Sequence, residues 1–341
     1  MNVLVTGGAG FIGSHAILRL MEDGHTVTSI DDFSRGNRGA IAALRAVGPF
    51  EFVEGDVGDR ALMATLMRDR GIDLVMHFAA KAYVGESMDI PLTYYATNTS
   101  ASIALLQAMD DAGVERIVFS STCASYGEPP ADRVPIREDC PQRPINPYGY
   151  SKWFVERVLF DHGRAKREAG RPFGFACLRY FNVAGNDQKS RLGEDHRPET
   201  HLIPICLEAA LGHRKSITVF GTDYATPDGT CIRDYVHVSD LIDAHITVMS
   251  ALGPGDERTY NIGIGDGSSV REVIEATRDV TGRAFEVIEG PRRAGDPPML
   301  YADSSKIRDE LGWVAKHTDL RGIIDDAWRW RQVHPHGYGE Q

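Results

Sequence analysis

The sequence predicts an α/β fold in which a doubly wound parallel sheet is followed by a smaller C-terminal α/β domain. Three observations carry this. Short β-branched apolar runs alternate with helical patterns through the first half of the chain. Several runs, such as Val3-Leu4-Val5 and Ile117-Val118-Phe119, are nearly continuously apolar, which suits a sheet covered on both faces. A glycine-rich turn follows the first run.

In chain order, strands are expected at residues 2–6, 26–30, 50–53, 73–78, 116–120 and 173–180, with a first helix from about Phe11. After about Phe181 the pattern loosens. Gly, Pro and Asp become frequent there, in GTDYATPDGT at 221–230 and GPRRAGDPP at 290–298, as in loops that carry recognition. A length of 341 residues suits about two domains at ~150 residues each. We divide the chain into 1–180 and 181–341, with C-terminal segments free to return to the first domain.

Composition narrows the function. With 42% hydrophobic and 25% charged residues the chain is an ordinary globular protein, not a disordered or repetitive one. Lys and Arg number 37 against 48 Asp and Glu, a net charge of −11. With no cluster of basic residues, nucleic acid is not an expected partner, and an anionic ligand must find local donors. No stretch approaches the ~20 apolar residues needed to cross a bilayer, so no membrane association is expected. The five cysteines, Cys123, Cys140, Cys177, Cys206 and Cys231, are scattered and odd in number. Reduced thiols and a cytoplasmic location follow, and no metal site is expected.

The turn Thr6-Gly7-Gly8-Ala9-Gly10-Phe11-Ile12-Gly13 contains GxGxxG through Gly8, Gly10 and Gly13, and GxxGxxG through Gly7, Gly10 and Gly13. Between a strand and a helix, such glycines allow a tight turn, close approach of a pyrophosphate and close helix packing, which makes the first domain a Rossmann domain. Asp31 ends the second strand at about the distance expected of the acid that accepts hydrogen bonds from a ribose 2′-hydroxyl. A carboxylate there repels a 2′-phosphate, and Asp32 adds to the repulsion, so NAD is expected rather than NADP. Arg35 and Arg38 are read as loop residues. Asp56, after the third strand, either approaches the adenosine or caps a helix.

Tyr148 and Lys152 stand at i and i+4 within NPYGYSK, on one helical face. A phenol with an ordinary pKa of ~10 acts as a base at neutral pH only where positive charge favours phenolate, and Lys152 with an oxidised nicotinamide is expected to supply that charge. Tyr150 faces elsewhere. The run SSTCASYG at 120–127 ends a strand with hydroxyls, where a doubly wound sheet gathers its ligands.

These motifs resemble the extended short-chain dehydrogenase/reductase family. TGGAGFIGSH, HFAAKAYVGES, LRYFNVAG, GTDYATPDGTCIRDYVHV, RRAGD and WRWRQVHPHGYG extend the likeness over the whole chain, and place it with the UDP-sugar 4-epimerases of the UDP-glucose type. The resemblance implies Tyr148 as catalytic base, Lys152 as a ligand of the nicotinamide ribose that tunes it, and Thr122 as the family's active-site hydroxyl, also touching substrate. It implies that NAD further contacts Phe11, Ile12, Val57, Phe78, Ala79, Ala80 and Asn98, with Phe181 near the nicotinamide. Lys81 stands one residue earlier than the lysine of many epimerases.

For the substrate, the resemblance implies that Asn182 binds the UDP pyrophosphate and that Arg233, Arg293 and Asp296 hold the pyrophosphate and uridine ribose. Phe220 and Tyr235 line the uracil and ribose pocket, joined by Leu202 and Val219. His201 stands where several relatives have Asn. Leu300 occupies the place of a bulkier Tyr in some members, leaving room for N-acetyl sugars. The implied reaction is inversion at C4″ of a UDP-hexose through a 4-keto sugar, in galactose and nucleotide-sugar metabolism, by a homodimer packed around 91–112 and 147–168. SSTCASYG, RLGEDHRPE and WVAKHTDL also resemble UDP-arabinose (UDP-xylose) 4-epimerases. A 4,6-dehydratase is disfavoured because Thr122 is followed by Cys123 and Ala124 instead of an acid pair.

Overall fold

The computed structural model describes residues 1–293 and 296–339; Ala294 and Gly295 of the RRAGD segment lie outside the described residues. The first half lays down β1 (Asn2–Thr6), α1 (Phe11–Glu22), β2 (Thr26–Asp31), α2 (Arg38–Val47), β3 (Glu51–Glu54), α3 (Arg60–Asp69) and β4 (Leu74–His77). β5 (Arg116–Thr122), the helix Pro147–Glu168 and β6 (Gly174–Tyr180) follow. The expected strands agree with these to within a residue or two. Val3, Leu4 and Val5 are fully buried, as a central strand between two helical layers requires.

The strands pair in parallel in the order β3-β2-β1-β4-β5-β6. A seventh, Glu257–Ile262, closes the sheet beside β6 with Tyr260 opposite Leu178. It comes from the second half of the chain, and the helix before it, Val238–Ala251, places Leu241, Ala244 and Val248 in the same core as Ile17 and Leu20 of α1. The sheet therefore draws on both sides of residue 180. The crossover reverses between β1 and β4, and the crevice outside the carboxyl ends there is where such sheets bind ligands.

Helix starts are set locally. The Asn37 side chain accepts from Gly39 N–H to begin α2, and Asp59 accepts from Leu62 N–H to begin α3. Asn146 accepts from Gly149 N–H at 2.8 Å, with Pro147 in the first turn, so the helix bearing Tyr148 has a fixed origin. Asp59 holds the cap position, so the helix-cap reading of Asp56 is corrected; Asp56 is exposed and accepts from Gly58 N–H in the turn before it.

Ala101–Ala112 lies beside the sheet, with Leu105 and Met109 in one core with Met63, and short sheets with the helices Leu202–Ala210, Val270–Thr281 and Leu320–Val333 form a cap. Ile203, Leu207, Tyr235, Val273, Ile324 and Trp328 share its core. No helix among the described residues is long and apolar enough to cross a membrane. The five cysteines are unpaired.

Candidate active site

The glycines of the first turn divide the work. Gly7 has φ of +72°, and a Cβ there would meet the Ala79 nitrogen at 2.6 Å, so the turn and the end of β4 touch backbone to backbone. A Cβ on Gly13 would lie 2.1 Å from the Gly7 carbonyl, which fixes α1 against the turn. Gly10 opens α1 without any side-chain cap, leaving the first-turn N–H groups at Phe11, Ile12 and Gly13 without a capping acceptor. A Cβ on Gly10 would meet only the Gly7 carbonyl, at 3.3 Å. This is the open, positive helix end that a pyrophosphate requires.

Asp31 lies beside that turn. Its carboxylate accepts from Ala9 N–H at 3.0 Å and Phe33 N–H at 2.8 Å, and burial pushes it up to about 6 against those two bonds. Asp32 is exposed and stabilises the next turn through Ser34 N–H. Arg38 is engaged by Glu54 through two bonds of 2.7 and 3.0 Å, and Arg35 pairs with Glu86. Both guanidiniums thus already have carboxylate partners, which favours the free 2′-hydroxyl over a 2′-phosphate. Val57 is a core side chain, packed with Met63 and Ala101.

β5 delivers Thr122 to Tyr148. The Thr122 hydroxyl favours the ionised form of the Tyr148 phenol, and its Oγ1 accepts from Ala124 N–H at 3.1 Å. Lys152, one turn on from Tyr148, donates from Nζ to the Ser120 carbonyl at 2.8 Å and lies 4.9 Å from the centre of the Phe119 ring. Tyr150 is exposed and packs on Trp153 and Phe154.

Without a nicotinamide, the chain itself disfavours the phenolate. Desolvation pushes the Tyr148 phenol up to about 12, and the Thr122 hydroxyl only partly offsets this. Burial also pushes the Lys152 ammonium down to about 7. Lys152 is committed to Ser120, and its own desolvation weakens the charge expected to lower the phenol. The chain alone therefore holds Tyr148 protonated.

Asn98 supports this pair from behind. Its amide donates to the Lys81 carbonyl at 2.9 Å and to Ser151 Oγ at 3.0 Å, while Oδ1 accepts from Lys81 N–H at 2.8 Å. The residue expected to contact cofactor thus ties the loop after β4 to the tyrosine helix. Phe78 packs on His245, and Ala79 N–H reaches Thr6 Oγ1, placing Phe78, Ala79 and Ala80 at the crevice next to Gly7.

The cap brings its predicted residues together above β5 and β6. Asp296 bridges the two arginines, 3.4 Å from Arg233 Nη2 and 3.3 Å from Arg293 Nε, a trio with one net positive charge. Arg293 also covers the Phe220 ring at 4.8 Å. Asp234 pairs with neither. It is buried, accepts from the N–H groups of Ile264, Gly265 and Ala302, and is pushed up by burial to about 6. Asn182 N–H bonds the Asp234 carbonyl, so Asn182 sits at the seam between sheet and cap. Phe181, Leu300 and Tyr126 share a small core to which Cys123 packs.

Three residues expected at the substrate have side chains engaged by the cap itself. Val219 points into the cap interior with Cys206 and Ile217, and the alternation of its strand sends Phe220 outward instead. Tyr235 is likewise a core residue. The His201 ring faces Glu194 at 2.7 Å, whereas Leu202 is half-buried where the cap helix begins.

Sequence reasoning missed the ion pair below the tyrosine. Glu156 continues the Tyr148, Lys152 stripe at i+8 and binds Arg179 of β6 through both oxygens, with both side chains almost wholly buried. Its spacing from Lys152 was the available signal.

Residues 3–263 match the NAD dependent epimerase/dehydratase family. UDP-arabinose 4-epimerase 1 of Arabidopsis thaliana is 45% identical over 346 residues, covering 99% of this chain and 81% of that protein. UDP-glucose 4-epimerase of Lactobacillus helveticus is 45% identical over 343 residues, covering 100% of both. The crystal structure of UDP-glucose-4-epimerase from Stenotrophomonas maltophila, with bound NAD and formylated UDP-arabinopyranose, superposes with a TM-score of 0.91 at 40% identity, covering 98% of this chain and 99% of that one. The enzyme from Bifidobacterium longum, in complex with NAD+ and UDP, gives 0.93 at 37%, covering 99% and 100%. With its uncapped glycine turn, its Thr122–Tyr148–Lys152 group and a likeness running the length of the chain, this protein belongs to the NAD dependent epimerase/dehydratase family.

Proposed function

We propose that the chain is a UDP-sugar 4-epimerase that interconverts UDP-glucose and UDP-galactose. The observation that carries this reading is the half-buried Tyr148, one helical turn from Lys152 and facing the Thr122 hydroxyl at the carboxyl end of β5, in a chain whose cap presents two arginines. The glycine turn, Asp31 and the crevice beside Ala79 suit NAD, which when bound supplies a reversible hydride acceptor bearing positive charge. Tyr148 takes the proton of the sugar hydroxyl, with Thr122 holding that oxygen in line. Lys152 holds the ribose side of the site and, once charged, favours the phenolate. Arg233 and Arg293 take the diphosphate, for which paired guanidiniums are suited donors. Anchoring through UDP leaves the sugar free to turn over between the two half-reactions.

A UDP-pentose substrate is the second reading, supported by equal identity to a UDP-arabinose 4-epimerase. The two sugars differ by one CH₂OH group, worth only about 1–3 kcal/mol in a pocket, so activity on both is expected. The deciding experiment incubates pure protein, without added NAD, with UDP-galactose, UDP-xylose or UDP-N-acetylgalactosamine. Formation of the C4 epimer supports the reading, and the ratio of rates ranks the sugars. A dehydrated 4-keto product, or no turnover of any of them, defeats it.

We also propose a homodimer working in the cytoplasm. The support is an apolar surface on the tyrosine helix and its neighbours, where Met88, Leu92, Ile103, Tyr150 and Phe154 are exposed. Sedimentation equilibrium is expected to give twice the chain mass of 37.5 kDa, and Leu92→Asp to shift the protein towards monomer. A monomeric wild-type chain would refute it.

A further inference from the structure

Away from the tyrosine, residues 194–201 gather two carboxylates and two imidazoles. Glu194, His196, Glu199 and His201 follow an E-x-H-x-x-E-x-H spacing, and one ligand-type atom from each lies within 4.8 Å of the others. His201 Nδ1 is 2.7 Å from Glu194 Oε1 and 3.4 Å from Glu199 Oε1. His196 Nδ1 is 3.1 Å from Glu194 Oε1 and 3.7 Å from Glu199 Oε2. A tetrahedral ion with bonds of about 2.0–2.1 Å needs its ligand atoms about 3.3 Å apart. The four imidazole–carboxylate separations bracket that value, and closing the whole set around one ion needs only side-chain adjustment from within 4.8 Å.

A second observation comes from hydrogen-bond accounting. Glu199 Oε2, His196 Nδ1 and the Tyr83 hydroxyl are buried without a hydrogen-bond partner, and the Glu199 side chain is only 1% exposed. Native proteins satisfy nearly all such atoms, so neighbouring orphans point to a ligand that they share. Tyr83 adjoins the cluster directly, its ring edge-on to His196 at 6.0 Å and to His201 at 6.2 Å.

We propose that Glu194, His196, Glu199 and His201 form a binding site for a first-row divalent cation of the zinc type. Two imidazoles with two carboxylates suit zinc and its neighbours, whereas magnesium and calcium prefer oxygen ligands throughout. The site lies where the two halves of the molecule meet. His196 packs edge-on against Phe11, the first residue of α1, at 6.3 Å, and Arg35 donates to the Arg197 carbonyl at 3.2 Å. His201 directly precedes the cap helix Leu202–Ala210. A cation here clamps the loop that joins the dinucleotide turn to the start of the cap, and its ligands are positioning residues.

The test strips the full-length protein with a chelator and titrates it with ZnCl₂ near neutral pH by calorimetry, with MgCl₂ in parallel. About one Zn²⁺ per chain is expected, and no Mg²⁺. CoCl₂ in place of zinc is expected to give the intense visible absorption of a tetrahedral site. Glu199→Gln and His196→Gln, checked for native circular dichroism, are each expected to weaken zinc binding at least about tenfold. No zinc uptake by the wild-type chain overturns the proposal and leaves the cluster as hydrogen-bonded ion pairs. Equal uptake by wild type and both variants also overturns it, because the zinc then sits on other histidines. The wild-type titration and cobalt spectrum stand even if a variant fails to fold.

Discussion

Tyr148→Phe is expected to lower epimerase turnover by about 10²–10⁴-fold while UDP affinity stays within about twofold. The substitution removes one oxygen from a half-buried ring and leaves its packing intact. The cost falls on the proton transfer alone, since the substrate's diphosphate is held by residues of the cap. The sign of the pH dependence follows from the burial that pushes the phenol up to about 12. In the free protein the phenolate fraction, and with it any phenolate-dependent reaction, rises with pH throughout the neutral and alkaline range. Cofactor charge is expected to bring the limb down, so the apparent pKa in kcat should lie well below that of the free chain. Turnover of the Phe variant within tenfold of wild type, measured on UDP-galactose, would remove Tyr148 from the role of base.

Glu156→Ala is expected to destabilise the protein by about 3–5 kcal/mol, the usual cost of stranding one partner of a buried ion pair. Arg179 would keep its charge inside the protein with only the Tyr126 hydroxyl at 2.9 Å and the distant Glu138 carbonyl at 3.4 Å as acceptors. A guanidinium with an ordinary pKa above about 12 cannot escape by losing its proton. Glu156 also accepts from Ser121 of β5 and, at 2.9 Å, from Gln142 Nε2. One carboxylate thus fastens the tyrosine helix to β5 and β6. Glu156→Gln, which keeps the shape and one acceptor, should lose less stability. Urea unfolding reads both variants, and an unchanged midpoint in the Ala variant would show that the pair contributes nothing net. Because Tyr148, Lys152 and Glu156 share one stripe, the Ala variant should also lose turnover below its melting temperature.

Much of the site was legible because its chemistry is written at short range. The spacing of Gly7, Gly10 and Gly13 dictates a backbone turn, and the four-residue step from Tyr148 to Lys152 dictates one helical face. Asp31 at the end of β2 follows from strand length alone. Other polar side chains are spent on the chain itself, which the sequence does not reveal. Asn98 spends its amide on Lys81 and Ser151, and Asp234 spends its carboxylate on three backbone N–H groups of a distant loop. Polar side chains look alike in a sequence whether they face a ligand or their own backbone. Val219 and Phe220 show the same limit, since one residue of strand alternation decides which enters the core.

The sequence by itself determined the six leading strands, the uncapped glycine turn and the Tyr148–Lys152 face, since each depends on residues a few positions apart. The tertiary structure alone decided that Glu257–Ile262 completes the sheet beside β6, a pairing between segments about eighty residues apart. It alone joined Glu156 to Arg179, and Asp296 to both Arg233 and Arg293. It also set how strongly the free chain opposes a Tyr148 phenolate, because the free energy of a phenolate depends on how much water the folded chain removes from it. Desolvation is a property of everything packed around a group, and no local spacing encodes it.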